Sequence, residues 1–172
     1  MDQKSELKKN WFALYVKPKH EFKAKGELDQ LSIHNYLPLI TRLKQWSDRK
    51  KKIAEPLLKG YIFIYADEKE RLFSLENRCV IKCITDHGRP AKIPEWQILN
   101  LKNMLNNDAD FKVVDGIAKG VTIEIIEGPF KGVRGIVQKS ETENNLAVSI
   151  DLLNRSVVVH MPKESVIRAI NN

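Results

Sequence analysis

Cysteine is scarce in this chain: Cys79 and Cys83 are the only two among 172 residues. With His87 they spell C-x3-C-x3-H, a spacing that on a helix would gather three zinc ligands on one face. The run "CVIKCI", however, is rich in β-branched residues and bounded by "TDHG", so it reads as a strand. At about 3.3 Å per residue the two thiols then share a face but lie roughly 13 Å apart. That excludes a disulfide, which needs Cα atoms within about 7 Å, and a shared metal, so neither metal nor cofactor is expected. Long apolar runs are missing too, and none approaches the ~20 residues that cross a bilayer. The opening "MDQKSELKKNW" is polar and lacks an apolar signal region. A cytoplasmic protein with no membrane partner is the expectation. Histidines 20, 34, 87 and 160 are scattered, and no phosphate loop, zinc framework or nucleophile elbow is present. The chain is therefore expected to bind rather than to catalyse.

What the sequence does have is positive charge in one place. Residues 1–60 hold 14 Lys+Arg against 7 Asp+Glu, while the remaining chain holds 15 of each, so the net +7 sits in the first third. A regional excess of base suits a polyanion such as nucleic acid, although a solvated basic surface has the same composition.

The two halves follow different patterns. "WFALYV" reads as a strand, followed by a helix over "KPKHEFKAKGELDQLSI" with Phe22, Leu28 and Leu31 towards a core. Gly26 within that helix costs about 1 kcal/mol relative to Ala. "YLPLITRLKQW" and "KKKIAEPL" form a hairpin-like pair around the charged tip "SDRKK". "DEKERLFSLENR" suits a helix with acidic residues at its N-terminus. "PEWQILNLKNMLNN" starts with a well-placed Pro94 and sets Ile98, Leu101 and Leu105 on one face. Residues 10–107 thus read as one α+β domain, 108–118 as a linker, and 119–171 as short strands of a small β-barrel.

One strand poses a problem. In "LLKGYIFIYAD" alternation sends Tyr61, Phe63 and Tyr65 one way and Ile62 and Ile64 the other, so both faces are apolar. A half-exposed antiparallel strand should have one polar face. Either a second layer covers the aromatic side, or a partner does.

The most specific local signal is "VTIEIIEGPFKGVRGIVQ": a strand, then the turn Gly128-Pro129-Phe130, then Gly132 and Gly135, which permit positive φ or close backbone approach. As residues alone these describe a β-turn in a small barrel with Phe130 as a plug. The stretch resembles the KOW motif of ribosomal proteins and of the NusG transcription factors. Trp11, the run Lys17-Pro18-Lys19-His20-Glu21, Leu37-Pro38, "SDRK", and Pro56-Leu57…Gly60-Tyr61-Ile62-Phe63-Ile64 resemble the NusG N-terminal (NGN) domain. Gly88, Pro90 and Pro94 fall where that family has its glycine–proline turn. The resemblance runs from residue 11 to about 170.

It implies an NGN-type antiparallel sheet flanked by helices, linked to a five-stranded KOW/SH3-like barrel. It implies binding to the clamp helices of RNA polymerase through Tyr61, Phe63 and Tyr65, with His87 near the glycine turn, while Ile62 and Ile64 face the domain's helices. It implies contact with the non-template DNA strand of the transcription bubble by Lys17, Lys19, Lys23 and Arg78; Trp11 and Tyr15 offer either stacking surfaces or core. The hairpin tip Arg49–Lys52 is near upstream DNA or merely solvated. In the C-terminal domain the resemblance assigns Leu153, Asn154 and Arg155 to a small-subunit ribosomal protein or to Rho, although Leu153 and Asn154 depart from the aromatic–Gly pattern of general NusG proteins. That departure resembles the RfaH- and UpxY-type antiterminators of selected operons, acting as monomers. A general elongation factor and a ribosome-associated KOW RNA-binding protein are the alternatives.

Overall fold

The computed structural model describes residues 8–139 and 144–170. In chain order the elements are β1 (Asn10–Val16), α1 (Glu21–Gln30), β2 (Asn35–Tyr36), β3 (Leu39–Gln45), β4 (Lys50–Pro56) and β5 (Tyr61–Ala66). Next come α2 (Glu68–Leu75), β6 (Val80–Cys83), β7 (Thr85–Asp86), β8 (Arg89–Pro90) and α3 (Glu95–Leu105). The strands β9 (Lys112–Asp115), β10 (Val121–Glu127), β11 (Arg134–Lys139) and β12 (Asn144–Ile150) follow, then β13 (Arg155–His160) and β14 (Val166–Ala169). The chain divides into two compact units, Met1–Leu37 with Leu58–Glu95, and Pro38–Leu57 with Trp96–Asn172. The second therefore takes in the β3–β4 hairpin and nearly all of α3, which the sequence reading counts within residues 10–107.

The first unit is built on an antiparallel sheet of order β2-β5-β1-β6. Pairing of β1 with β5 sets Phe12 opposite Ile64 and Leu14 opposite Ile62. This face forms the aliphatic core, joined by Val16 and Ala66, by Ala24 and Leu28 of α1, and by Cys79 and Cys83. Each Leu or Ile fully buried there stabilises by roughly 1.5–3 kcal/mol. The isoleucines of β5 thus face a helix, as expected.

Helix α1 differs from its expected packing. Its buried stripe is Glu21, Ala24 and Leu28, spaced i, i+3, i+7. Phe22 and Leu31 are 48% and 54% exposed. Phe22 lies one position, about 100° of helical rotation, off the stripe, and Leu31 is already the C-cap residue. Helix α2 opens on a reciprocal capping box. The Asp67 carboxylate accepts from the Glu70 backbone N–H at 2.8 Å and the Glu70 carboxylate from that of Asp67 at 3.0 Å. Both cysteines are free and buried.

The second unit holds a six-stranded antiparallel sheet of order β14-β10-β11-β12-β13-β9, one strand more than the five expected. The extra strand, β9, comes from the stretch read as linker: Lys112 to Asp115 pair with Val158 to Arg155 of β13. Just before it, Phe111 is buried with its ring edge-on to Phe130, 6.5 Å between centroids. The glycines around Phe130 have separate causes. Gly132 sits at φ +83°, in a tight turn. A side chain at Gly135 would lie 2.6 Å from the Ala147 carbonyl oxygen, so only glycine lets β11 and β12 close on each other.

Candidate functional site

The face of the first sheet opposite the aliphatic core is aromatic. Directly opposed pairs across β1 and β5 are Trp11 with Tyr65, Ala13 with Phe63, and Tyr15 with Tyr61. On the other side of β5, Tyr36 of β2 lies opposite Phe63. Cross-strand neighbours on one face touch, and here they do: Tyr15 and Tyr61 have ring centroids 5.4 Å apart, Trp11 and Tyr65 5.4 Å, Tyr36 and Phe63 6.3 Å in a stacked arrangement.

This packing corrects one expectation. Phe63 is fully buried, not outward-facing, and Trp11 is only 5% exposed. Tyr36 lies over Phe63, and its own phenol is pushed well above the ordinary range by burial. Tyr61 and Tyr65 remain half-buried, so they are the residues of β5 that present aromatic surface to solvent. Aromatic side chains with one wet edge are what interface hot spots favour. Trp11 is core, packed against Tyr65 and edge-on to His34. Tyr15 is half-buried against Tyr61. His87 stands at the tip of the β7–β8 hairpin, its side chain 95% exposed with Asp86 at 3.6 Å. With Gly88 it takes the left-handed conformation at both central turn positions, and no ring contact joins it to the aromatic face among the described residues.

A second feature of this unit is a basic corner. The Lys17 backbone N–H donates to the Cys79 carbonyl at 2.9 Å, which sets Lys17 beside the residue that follows Arg78. Lys19 holds the turn between β1 and α1 at φ +63°, and Lys23 is the third residue of α1. Lys17, Lys19, Lys23 and Arg78 are all exposed; Lys23 has Glu27 4.0 Å away. The four expected cations thus come together where β1, α1 and β6 meet, three flexible lysine charges and one guanidinium fork, both suited to phosphates.

Two buried polar residues, neither among the expected site or core residues, fix that corner. Glu21, 5% exposed, accepts the Gly60 backbone N–H at 2.9 Å, tying the first turn of α1 to the turn before β5. Asn77 accepts the Cys79 N–H at 2.8 Å and reaches the Ala24 carbonyl at 3.4 Å. An acidic residue in a first helical turn was the available signal for Glu21; Asn77 had none.

In the second unit the three expected partner-binding residues differ in access. Leu153 is buried, Asn154 is exposed at φ +49°, and Arg155 is half-buried with its guanidinium 2.5 Å from Asp115. The loop is anchored beneath by Ser156, which donates to the Gly116 carbonyl at 2.8 Å and accepts the Ala118 N–H at 3.0 Å. Among the described residues no group of three or more His, Cys, Asp or Glu could hold a metal ion, and no helix is long and apolar enough to cross a membrane.

Comparison with known structures gives a Thermotoga maritima NusG, solved in a study of its domain interaction, at 19% identity and a TM-score of 0.50. The match covers 90% of this chain and 93% of that one. At that identity the likeness speaks for the fold. An MjSpt4:Spt5 complex, conformation B, is matched at 19% identity over 94% of this chain and 97% of that one, with a TM-score of 0.35. The family model described as "Transcription termination factor nusG" matches residues 9–102, more than half of the chain. The aromatic face, the basic corner and the whole sheet that supports them lie in that span, and the chain belongs to the NusG family of transcription factors.

Proposed function

We propose that the protein is an elongation and antitermination factor that binds the clamp helices of RNA polymerase through Tyr61 and Tyr65. Lys17, Lys19, Lys23 and Arg78 contact the non-template DNA strand. The observation that carries the reading is the aromatic sheet face within the matched family span, in which Trp11 and Phe63 are buried while Tyr61 and Tyr65 of β5 keep surface exposed. The mechanism is binding rather than bond-making. A factor that holds the clamp more tightly in its processive state shifts polymerase away from pausing by that difference in affinity.

The protein acts in this reading as a specialised RfaH/UpxY-like paralogue at selected operons, such as those for capsular polysaccharide. Its support is the loop Leu153-Asn154-Arg155, where the leucine is buried rather than offered to a partner, and the concentration of base in residues 1–60.

Binding of the full chain to core RNA polymerase, with a Tyr61→Ala, Tyr65→Ala double variant beside wild type, tests the polymerase site. Wild type should bind and the variant, folded by circular dichroism, should not. Equal binding by both removes the aromatic face from the interface; binding by neither removes the polymerase reading. Read-through of terminators on chosen templates then separates a selective factor from a general one.

A further inference from the structure

The β3–β4 hairpin is absorbed by neither surface described above. It is a two-stranded antiparallel ribbon, Leu39 to Gln45 against Pro56 to Lys50. Residues directly opposite share a face, so the register sorts its side chains. One face carries Ile40 opposite Glu55, Arg42 opposite Ile53, then Lys44 opposite Lys51, and alternation continues to Trp46, whose backbone N–H donates to the Arg49 carbonyl at 2.8 Å. Every residue from Thr41 to Lys52 is exposed, Trp46 to 52%.

Three observations are unlike an ordinary solvated hairpin. Two lysines, Lys44 and Lys51, sit directly opposite each other, a like-charge pairing that destabilises a ribbon. Among the described residues Lys44 is the cation of this face with an ion pair, to Glu55; none is found for Arg42, Arg49 or Lys51. A large aromatic, Trp46, stands about half exposed at the end of the same face, with its indole open to stacking.

We propose that this face binds single-stranded RNA, with Trp46 stacking on a base and Arg42, Lys44, Arg49 and Lys51 taking phosphates. Cations alone would suit any polyanion; the exposed indole selects a strand whose bases are unpaired and offer a π-face. The choice of RNA over DNA rests on the proposed function, in which the single DNA strand is held by the basic corner of the first unit and the transcript is the remaining single strand.

The test measures binding of a fluorescent 20-nucleotide oligouridylate to the full chain by anisotropy, beside the matching oligothymidylate and a duplex, over a range of salt. RNA should bind tightest. Trp46→Ala should weaken it roughly 5- to 160-fold, the range for losing one stacked base, while Trp46→Phe keeps most of the affinity. A Lys44→Gln, Lys51→Gln double variant should lower the slope of log affinity against log salt by about 1.4, at about 0.7 per phosphate released. Absence of RNA binding, equal or tighter binding of DNA or duplex, or unchanged behaviour of both variants would overturn the proposal. Polymerase binding is measured on the same preparations. Wild type that binds polymerase but no RNA refutes this inference alone, whereas failure of wild type to bind polymerase refutes the functional reading.

Discussion

Replacing Phe63 and replacing Tyr65 should have opposite consequences, although both rings lie on the same face of one strand. Phe63 has no exposed surface and is stacked at 6.3 Å on Tyr36. Truncation to Ala removes a whole buried ring and leaves a cavity between Tyr36 and the sheet, a change that costs about 3–5 kcal/mol. Against a total stability of about 5–15 kcal/mol, that is a large share. Tyr65 is half-buried, so Tyr65→Ala forfeits part of a ring's burial and opens no closed cavity, about 1 kcal/mol by lost apolar area. Urea unfolding followed by far-UV circular dichroism reads the difference. With a slope of about 1–3 kcal/mol per molar urea, Phe63→Ala should lower the midpoint by more than about 1 M and Tyr65→Ala by a fraction of that. In the polymerase assay the order reverses at temperatures where both are folded: Tyr65→Ala should weaken binding and Phe63→Ala should retain it. Midpoints shifted equally, or a Phe63→Ala protein as stable as wild type, would refute the assignment of Phe63 to the interior.

Gly135→Ala should destabilise the second unit by about 1–3 kcal/mol, since its methyl would meet the Ala147 carbonyl at 2.6 Å and the Leu146 side chain at 2.8 Å; melting temperature against wild type measures it. Glu21→Ala leaves the Gly60 N–H without its buried acceptor, at a cost of about 1–3 kcal/mol, and amide exchange at Gly60 should speed up. Burial raises the Cys83 thiol above its ordinary range, with Arg71 opposing in part. At pH 8 it should alkylate with iodoacetamide far more slowly than a free thiol. Because that pKa is raised in the folded state, its contribution is complete below the unfolded thiol's pKa and is lost as pH rises through the folded one. A Cys83→Ser protein should lack that alkaline component in a stability–pH profile.

Much of this was legible in the sequence because it depends on local pattern. The strand over Trp11–Val16, the hairpin around "SDRKK" and the helix with the acidic opening "DEKE" each follow from strand pattern, turn chemistry or the helix dipole within a few residues. So does the division of β5 into an isoleucine face and an aromatic face. The misses depend on what lies across space. Alternation states that Tyr61, Phe63 and Tyr65 share a face, but the burial of Phe63 is associated with Tyr36, carried by a two-residue strand too short for any period to show. The aromatic side therefore divides into covered and open positions that no reading of β5 alone could separate. Four residues were likewise too few to mark β9, although "KVVD" has the β-branched content of an edge strand.

Helix α3 shows the same limit from the other direction. Its apolar residues Ile98 and Leu101 are buried as periodicity predicts, yet Trp96 and Leu99 are 56% and 48% exposed while Gln97 and Asn100 are buried. Polarity alone would invert that assignment. The polar pair is inside because each finds a specific partner in the second unit. The Gln97 amide donates to the Asp151 carboxylate at 2.7 Å, and the Asn100 amide brackets the backbone of Arg134, donating to its carbonyl at 2.9 Å and accepting its N–H at 3.1 Å. Hydrogen bonds of this kind contribute about 1 kcal/mol each after exchange with water, less than a buried leucine of similar size. Their gain is orientation: a side-chain amide matched to both groups of one peptide unit fixes the helix in a single register, which an apolar contact would leave free to slide. The Asn100 bracket ends on β11, one residue before Gly135, the position at which β11 and β12 make their close approach. One turn of α3 and one glycine thus define the same stretch of strand from its two sides.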